Sequence, residues 1–161
     1  MKTCIIYHSH SGTTRSVAEE VRDATGGDLI EVRLKEGHSS PVAYFLGLFR
    51  ALTHGHNPIE PAQIDVSAAD VIVIGTPVWT RRATPAITAA VDALEGGEGK
   101  RAVLFATCGA MAGDTLPALA GALTARGMRV DGEHVLTAAD LRDGEAVKRL
   151  IADVMKTGEA P

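Results

Sequence analysis

An α/β fold built on a doubly wound, five-stranded parallel sheet is predicted by three features of this sequence. Short apolar runs alternate with helical patterns from one end to the other. Two of the runs, Val71-Ile72-Val73-Ile74 and Ala102-Val103-Leu104-Phe105-Ala106, keep no position for water, as expected of parallel strands covered on both faces. Glycines stand where helices should stop, at Gly26-Gly27, Gly96-Gly97 and Gly127. Strand–helix units of this size fit the order 2-1-3-4-5 with right-handed crossovers. The ligand crevice of that arrangement lies outside the carboxyl ends of strands 1 and 3.

Each element has its own warrant. Residues 2–7 form the first strand through Cys4-Ile5-Ile6-Tyr7, and residues 13–25 the first helix, where Val17, Ala18 and Val21 recur at helical spacing. The second strand spans residues 28–34. The helix expected next, residues 42–53 from Val42 to Thr53, carries Tyr44, Phe45, Leu46, Leu48, Phe49 and Leu52. A helix apolar nearly all round is buried on two sides. One side meets the sheet. The other is offered to deeper core, to the ligand site, or to a second copy of the chain, so a homodimer through this helix is one expectation. Strands over residues 71–75, 101–107 and 129–136 then alternate with helices over 84–94, 115–126 and 144–156. Residues 1–157 read as a single domain, with a frayed tail from Gly158 to Pro161.

Composition narrows the function classes. A chain of 161 residues with 45% apolar content can bury a core and is not disordered by default. The net charge of −4, with basic residues scattered, argues against nucleic acid. No apolar run reaches membrane-spanning length. Cys4 and Cys108 make neither a metal spacing nor a disulfide framework. With no leader pattern at Met1-Lys2-Thr3, a reducing cytoplasm is the expected setting.

The chemistry concentrates after the first strand. Ser9-His10-Ser11-Gly12-Thr13-Thr14 places four hydroxyls in six residues between a buried strand and a helix. Such a turn converges backbone N–H groups, hydroxyls and a helix N-terminus on one point, which suits a phosphate monoester. Ser and Thr are also ordinary helix caps, but one hydroxyl would serve that purpose. Arg15 is the nearest positive charge in sequence.

Two further loops face the same crevice. Thr76-Pro77-Val78-Trp79-Thr80-Arg81-Arg82 carries the single Trp of the chain. Trp79 fits either stacking on a flat heterocycle or ordinary packing, and Val78, Trp79 and Thr80 offer N–H donors. Thr107-Cys108-Gly109, at the start of the third loop, lets backbone approach a ring edge closely. Cys108 reads as a small packing residue or as a thiol; no base or second Cys stands near it in sequence.

Other motifs fall short. Gly96-Gly97-Glu98-Gly99-Lys100 precedes a strand and lacks Ser or Thr after the Lys, so it is no P-loop. No G-x-G-x-x-G follows a strand, against a Rossmann domain. His8 with His10, and His54 with His56, lack a third metal ligand.

The stretch from Ile5 through His8 to Thr14, together with Asp70-Val71-Ile72-Val73-Ile74-Gly75-Thr76-Pro77-Val78-Trp79, resembles the flavodoxin family, most closely its small flavodoxin-like members. The run Ile64 to Asp70 is similar too, and the order of elements matches over nearly the whole chain. The resemblance implies an FMN site. Ser9, His10, Ser11, Gly12, Thr13 and Thr14 would hold the phosphate. Thr76, Pro77, Val78 and Trp79 would flank the isoalloxazine ring, and Thr107, Cys108 and Gly109 its pyrimidine edge. It implies an electron-transfer flavoprotein serving a redox partner protein. The alternative is an FMN-dependent oxidoreductase that takes hydride from NAD(P)H and reduces a quinone-type acceptor; a weaker one is an interaction domain without FMN. Three departures stand out. Thr13 replaces a common Asn. No Gly follows Trp79 within the next three residues, so no residue there is suited to φ > 0, which favours a two-electron step. Arg81-Arg82 brings positive charge where electron carriers tend to be acidic.

Overall fold

The computed structural model describes residues 1–35 and 59–156. The chain begins with β1 (Thr3–Tyr7), α1 (Thr13–Thr25), β2 (Asp28–Glu31) and β3 (Arg33–Leu34). It continues through β4 (Ile59–Glu60), β5 (Ile64–Asp65), β6 (Val71–Trp79), β7 (Arg82–Ala83), α2 (Pro85–Asp92) and β8 (Leu94–Glu95). Then come β9 (Arg101–Cys108), α3 (Thr115–Ala125), β10 (Arg129–Thr137), α4 (Ala138–Asp143) and α5 (Glu145–Met155). The helix expected over residues 42–53, and the homodimer expected through it, lie outside the described residues.

The main sheet has the order β2-β1-β6-β9-β10, with every neighbour parallel. This is the 2-1-3-4-5 order expected from the sequence. Alternation along the strands divides the core into two layers. Cys4, Ile6, Ile72, Ile74, Ala102, Leu104 and Ala106 face α2 and α3, meeting Ile87, Leu119 and Leu123. Ile5, Tyr7, Val71, Val73, Val103 and Phe105 face α1 and α5, meeting Val17, Val21, Leu150 and Val154. Both helices of the second layer bury residues at helical spacing: Thr14, Val17, Ala18, Val21 on α1 and Ala146, Val147, Leu150, Val154 on α5.

Gly75 explains how Phe105 fits. A Cβ at Gly75 would stand 2.2 Å from the Phe105 ring. The fully buried ring therefore lies across the neighbouring strand where a side chain is missing.

Arg101, at the start of β9, fixes the last helix. Its side chain pairs with Asp131 at 2.5 Å and donates to the carbonyl oxygens of Asp153 at 3.2 Å and Lys156. These carbonyls lie at and just beyond the C-terminal end of α5, where helix carbonyls need partners from outside the helix.

Three boundaries differ from expectation. The second strand does not run unbroken from 28 to 34. Val32 N–H bonds the Tyr7 carbonyl at 2.7 Å, the Val32 carbonyl takes a bond from His8, and β3 then pairs antiparallel with β4, off the main sheet. The third strand does not stop at Gly75. It continues to Trp79 because β7 pairs with its end. Ahead of the last helix stands α4, whose N-terminus is a reciprocal cap between Thr137 and Asp140. Gly144, at φ 74, turns the chain into α5.

Candidate functional site

The turn after β1, the end of β6 with its hairpin, and the loop after β9 share the carboxyl edge of the parallel sheet, where crevice residues were expected. His8 N–H bonds the Gly75 carbonyl at 3.2 Å and so ties the first turn to β6.

The hydroxyl turn has the makings of an anion site. Ser9 Oγ accepts from Gly12 N–H at 3.1 Å and Arg15 N–H at 3.3 Å, folding the turn onto itself. Ser11 and Thr13 hydroxyls lie 3.2 Å apart at the exposed lip. Gly12 caps α1 at φ 95, and space around its missing Cβ is open. Gly12 has no side chain to cap the helix, Ser9 satisfies only the Arg15 N–H of the first turn, and no acidic residue stands there. The N–H groups of Thr13 and Thr14 therefore lack an intrahelical acceptor, beside the positive end of the helix dipole. A dianionic phosphate fits this donor set.

Arg15 does not complete the turn as a free charge. Its guanidinium is paired with Glu31, which Arg33 also contacts at 2.6 Å. Burial pushes the Glu31 carboxyl up, but the hydrogen bonds from Arg15 and Arg33 outweigh it and hold the group below its usual range.

Thr14 is buried, and its hydroxyl lies 2.8 Å from that of Thr107 at the end of β9. The first and third loops are thus joined beneath the crevice. Thr76 is fully buried; its hydroxyl donates to the Pro77 carbonyl at 2.8 Å and accepts from Thr84 N–H at 3.2 Å. Its side chain is committed to the hairpin. Pro77 and Val78 are half-buried, with Val78 packed on the core.

Trp79 ends β6, half-buried. The His10 ring meets it edge-on at 5.5 Å between centroids, and the His8 ring at 6.1 Å. His8 Nδ1–H donates to the Val32 carbonyl at 2.8 Å. Burial lowers its pKa, more than the Val32 bond and Glu31 raise it, which favours the neutral ring. Sequence reasoning missed this anchoring role of His8; its place directly after the strand was the available signal.

The hairpin that follows was also missed. Trp79 and Arg82 are cross-strand partners, and Thr80 and Arg81 make the two-residue turn at φ 48 and 63. Asn-Gly is the usual choice for such a turn. The expectation that this segment avoids positive φ is therefore corrected: closing the hairpin forces both residues into that region. Gly113, at φ 57, packs against it so closely that a Cβ would stand 2.5 Å from Arg81 Cβ and 2.7 Å from its carbonyl oxygen.

Cys108 is half-exposed at the end of β9. Burial, with a smaller contribution from Asp140, pushes its thiol up and keeps it protonated. Gly109 has open space around it. Among the described residues no cluster could hold a metal ion, and no helix is long and apolar enough to cross a membrane. A cavity of about 410 Å³ lined by Leu94, Gly96, Gly97, Glu98, Arg126 and Met128 lies at the opposite, amino edge of the sheet.

Comparison with known proteins agrees with this architecture. No curated protein sequence matches significantly. Among solved structures, a protein of Bacteroides eggerthii assigned as a flavoprotein superposes with a TM-score of 0.70 at 23% identity, over 97% of this chain and 99% of that one. A flavoprotein of Lactobacillus acidophilus in complex with FMN gives 0.61 at 22%, over 88% and 97%. The apo form of an NADH:FMN oxidoreductase gives 0.64 at 18%, over 100% and 92%. These likenesses establish the flavodoxin-like fold. The sequence model of the NADPH-dependent FMN reductases matches residues 1–140. FMN, the flavin that the flavodoxin resemblance implied, is the flavin of that family. This chain belongs to the NADPH-dependent FMN reductase family.

Proposed function

We propose that this chain is an oxidoreductase that holds FMN at the carboxyl edge of its sheet and takes reducing equivalents from NADPH. The observation that carries the reading is the first turn of α1, free of acidic residues, with open space at Gly12 and with Ser9 engaging only the Arg15 N–H of that turn. Ser9, His10, Ser11, Gly12, Thr13 and Thr14 hold the phosphate, chiefly through backbone N–H groups and the outer hydroxyls. Trp79, with Pro77 and Val78, flanks the ring, and Cys108 and Gly109 border its polar edge. Thr76 and Thr107 act from beneath, since their hydroxyls are already bonded within the protein. Bound FMN supplies redox chemistry that no side chain here offers. Membership in a reductase family favours this reading over a pure one-electron carrier.

Titration of the apoprotein with FMN and with riboflavin tests the phosphate assignment. FMN should bind far more tightly, because riboflavin leaves the turn's donors unpaired, at roughly 1–3 kcal/mol for each buried one. Equal affinity would defeat it, and binding of neither flavin would return the chain to an interaction domain. FMN-dependent loss of NADPH absorbance tests the reductase activity.

A further inference from the structure

We propose that the hairpin tip beyond Trp79 is the subsite for a phosphate group of the dinucleotide donor, with the guanidinium groups of Arg81 and Arg82 as its ligands. The inference rests on the reductase reading above and adds to it the residues that recognise the donor.

Register supplies the first argument. Trp79 and Arg82 are directly opposed across β6 and β7. Opposed residues of an antiparallel pair project from the same face of the ribbon, with Cβ atoms about 5 Å apart. Arg82 therefore extends beside the indole that borders the ring position. A donor presenting its nicotinamide there carries its phosphates outward, along the span a long Arg side chain covers.

Electrostatics supplies the second. Arg15, Arg22, Arg33, Arg101 and Arg129 are each paired with a carboxylate. Arg81 and Arg82 are exposed and, like Arg142 and Arg149, enter no ion pair among the described residues; they are the two that adjoin Trp79. Asp114 follows Gly113 at the hairpin's side but is paired with neither of them. Glu31, the acid beside the first turn, is already contacted by Arg15 and Arg33. Two adjacent forks at this crevice keep their donors for an outside anion, and a guanidinium fork matches phosphate oxygens in a bidentate way.

Backbone conformation supplies the third. Thr80 and Arg81 both hold positive φ without being Gly, a region that crowds Cβ against the backbone. Gly113 sits against Arg81 with no room for a Cβ and holds the turn in place. A presented, fixed arginine pair is what such a turn provides, where Asn-Gly would give an easier hairpin without the charge.

Equilibrium titration with NADP⁺, NAD⁺ and 2′,5′-ADP, on FMN-loaded protein and on apoprotein, tests this. In Arg82→Gln and in the double variant Arg81→Gln/Arg82→Gln, NADP⁺ affinity should fall tenfold or more, and Arg82→Lys should recover part of it. Loss for NADP⁺ and 2′,5′-ADP with NAD⁺ unaffected supports the subsite and assigns it to the 2′-phosphate. Equal loss for NADP⁺ and NAD⁺ supports it and assigns the pyrophosphate. Undiminished NADP⁺ binding by a folded double variant overturns the proposal, as does failure of the parent to bind any of the three probes. Failure to bind FMN is a separate result that defeats the reductase reading, while the apoprotein titrations still judge the arginines.

Discussion

The hydroxyl of Thr14, in the first turn of α1, lies 2.8 Å from the hydroxyl of Thr107 at the end of β9, and both residues are buried. One bond thus links the hydroxyl turn to the strand that leads into Cys108 and Gly109. Thr107→Val should leave the Thr14 hydroxyl without a partner, costing about 1–3 kcal/mol. Thr14→Val/Thr107→Val should cost less than the sum of the single variants, because it removes both ends of the bond. Urea unfolding of the four proteins measures the coupling; strict additivity would mean that the bond is not formed in solution.

Trp79 is predicted to quench bound flavin. In Trp79→Ala the fluorescence of bound FMN should rise, and binding should weaken by roughly 1–3 kcal/mol, the scale of aromatic stacking on a planar base. If neither changes, Trp79 packs against His8 and His10 and has no part in holding the ring.

Gly113→Ala should disturb the arginine turn without touching an arginine. The new methyl group would stand 2.5 Å from the Arg81 Cβ and 2.7 Å from its carbonyl oxygen, at a φ of 57. Overpacking of this kind costs typically about 1–3 kcal/mol. Dinucleotide affinity should fall along with stability. Thermal unfolding combined with NADP⁺ titration would check both, and full NADP⁺ affinity in this variant would show that the turn's position is unimportant.

Stability should decline as the pH falls from about 7 to 5. Burial lowers the pKa of His8 and of His134 below the ordinary value of 6.5, so the unfolded chain binds protons that the folded one resists. Their penalty begins as the pH drops through 6.5 and grows until the folded rings titrate. Glu31, held low by its arginines, adds its own loss only further down, below its ordinary 4.5. Denaturant midpoints at several pH values should show a flatter slope in His8→Gln/His134→Gln than in the parent. An unchanged slope would place the pH dependence elsewhere.

The covered parallel sheet was legible because Val71 to Ile74 and Ala102 to Ala106 are apolar at every position, and its order because strand–helix units of this size succeed one another. The hydroxyl turn was legible because strand, Gly and helix start are contiguous in sequence. The hairpin was not, since Thr80-Arg81 is a poor turn sequence locally and the contact that steadies it comes from Gly113, more than thirty residues away. Nor was the loss of Arg15 to Glu31, because that pair forms only when β2 lies beside β1. Thr14 was read as a phosphate ligand; its burial against Thr107 is a fact of packing between distant strands.

Arg101 holds the end of α5 at the amino edge of the sheet, with its bonds to the carbonyls of Asp153 and Lys156. β9, eight residues long, separates that edge from the crevice by roughly 25 Å of extended chain. A linker attached after Lys156 therefore departs from the side facing away from the crevice. Coupled through such a linker to an electrode or a bead, the protein would turn the proposed FMN edge toward the solution, and a fused partner there would leave that edge clear.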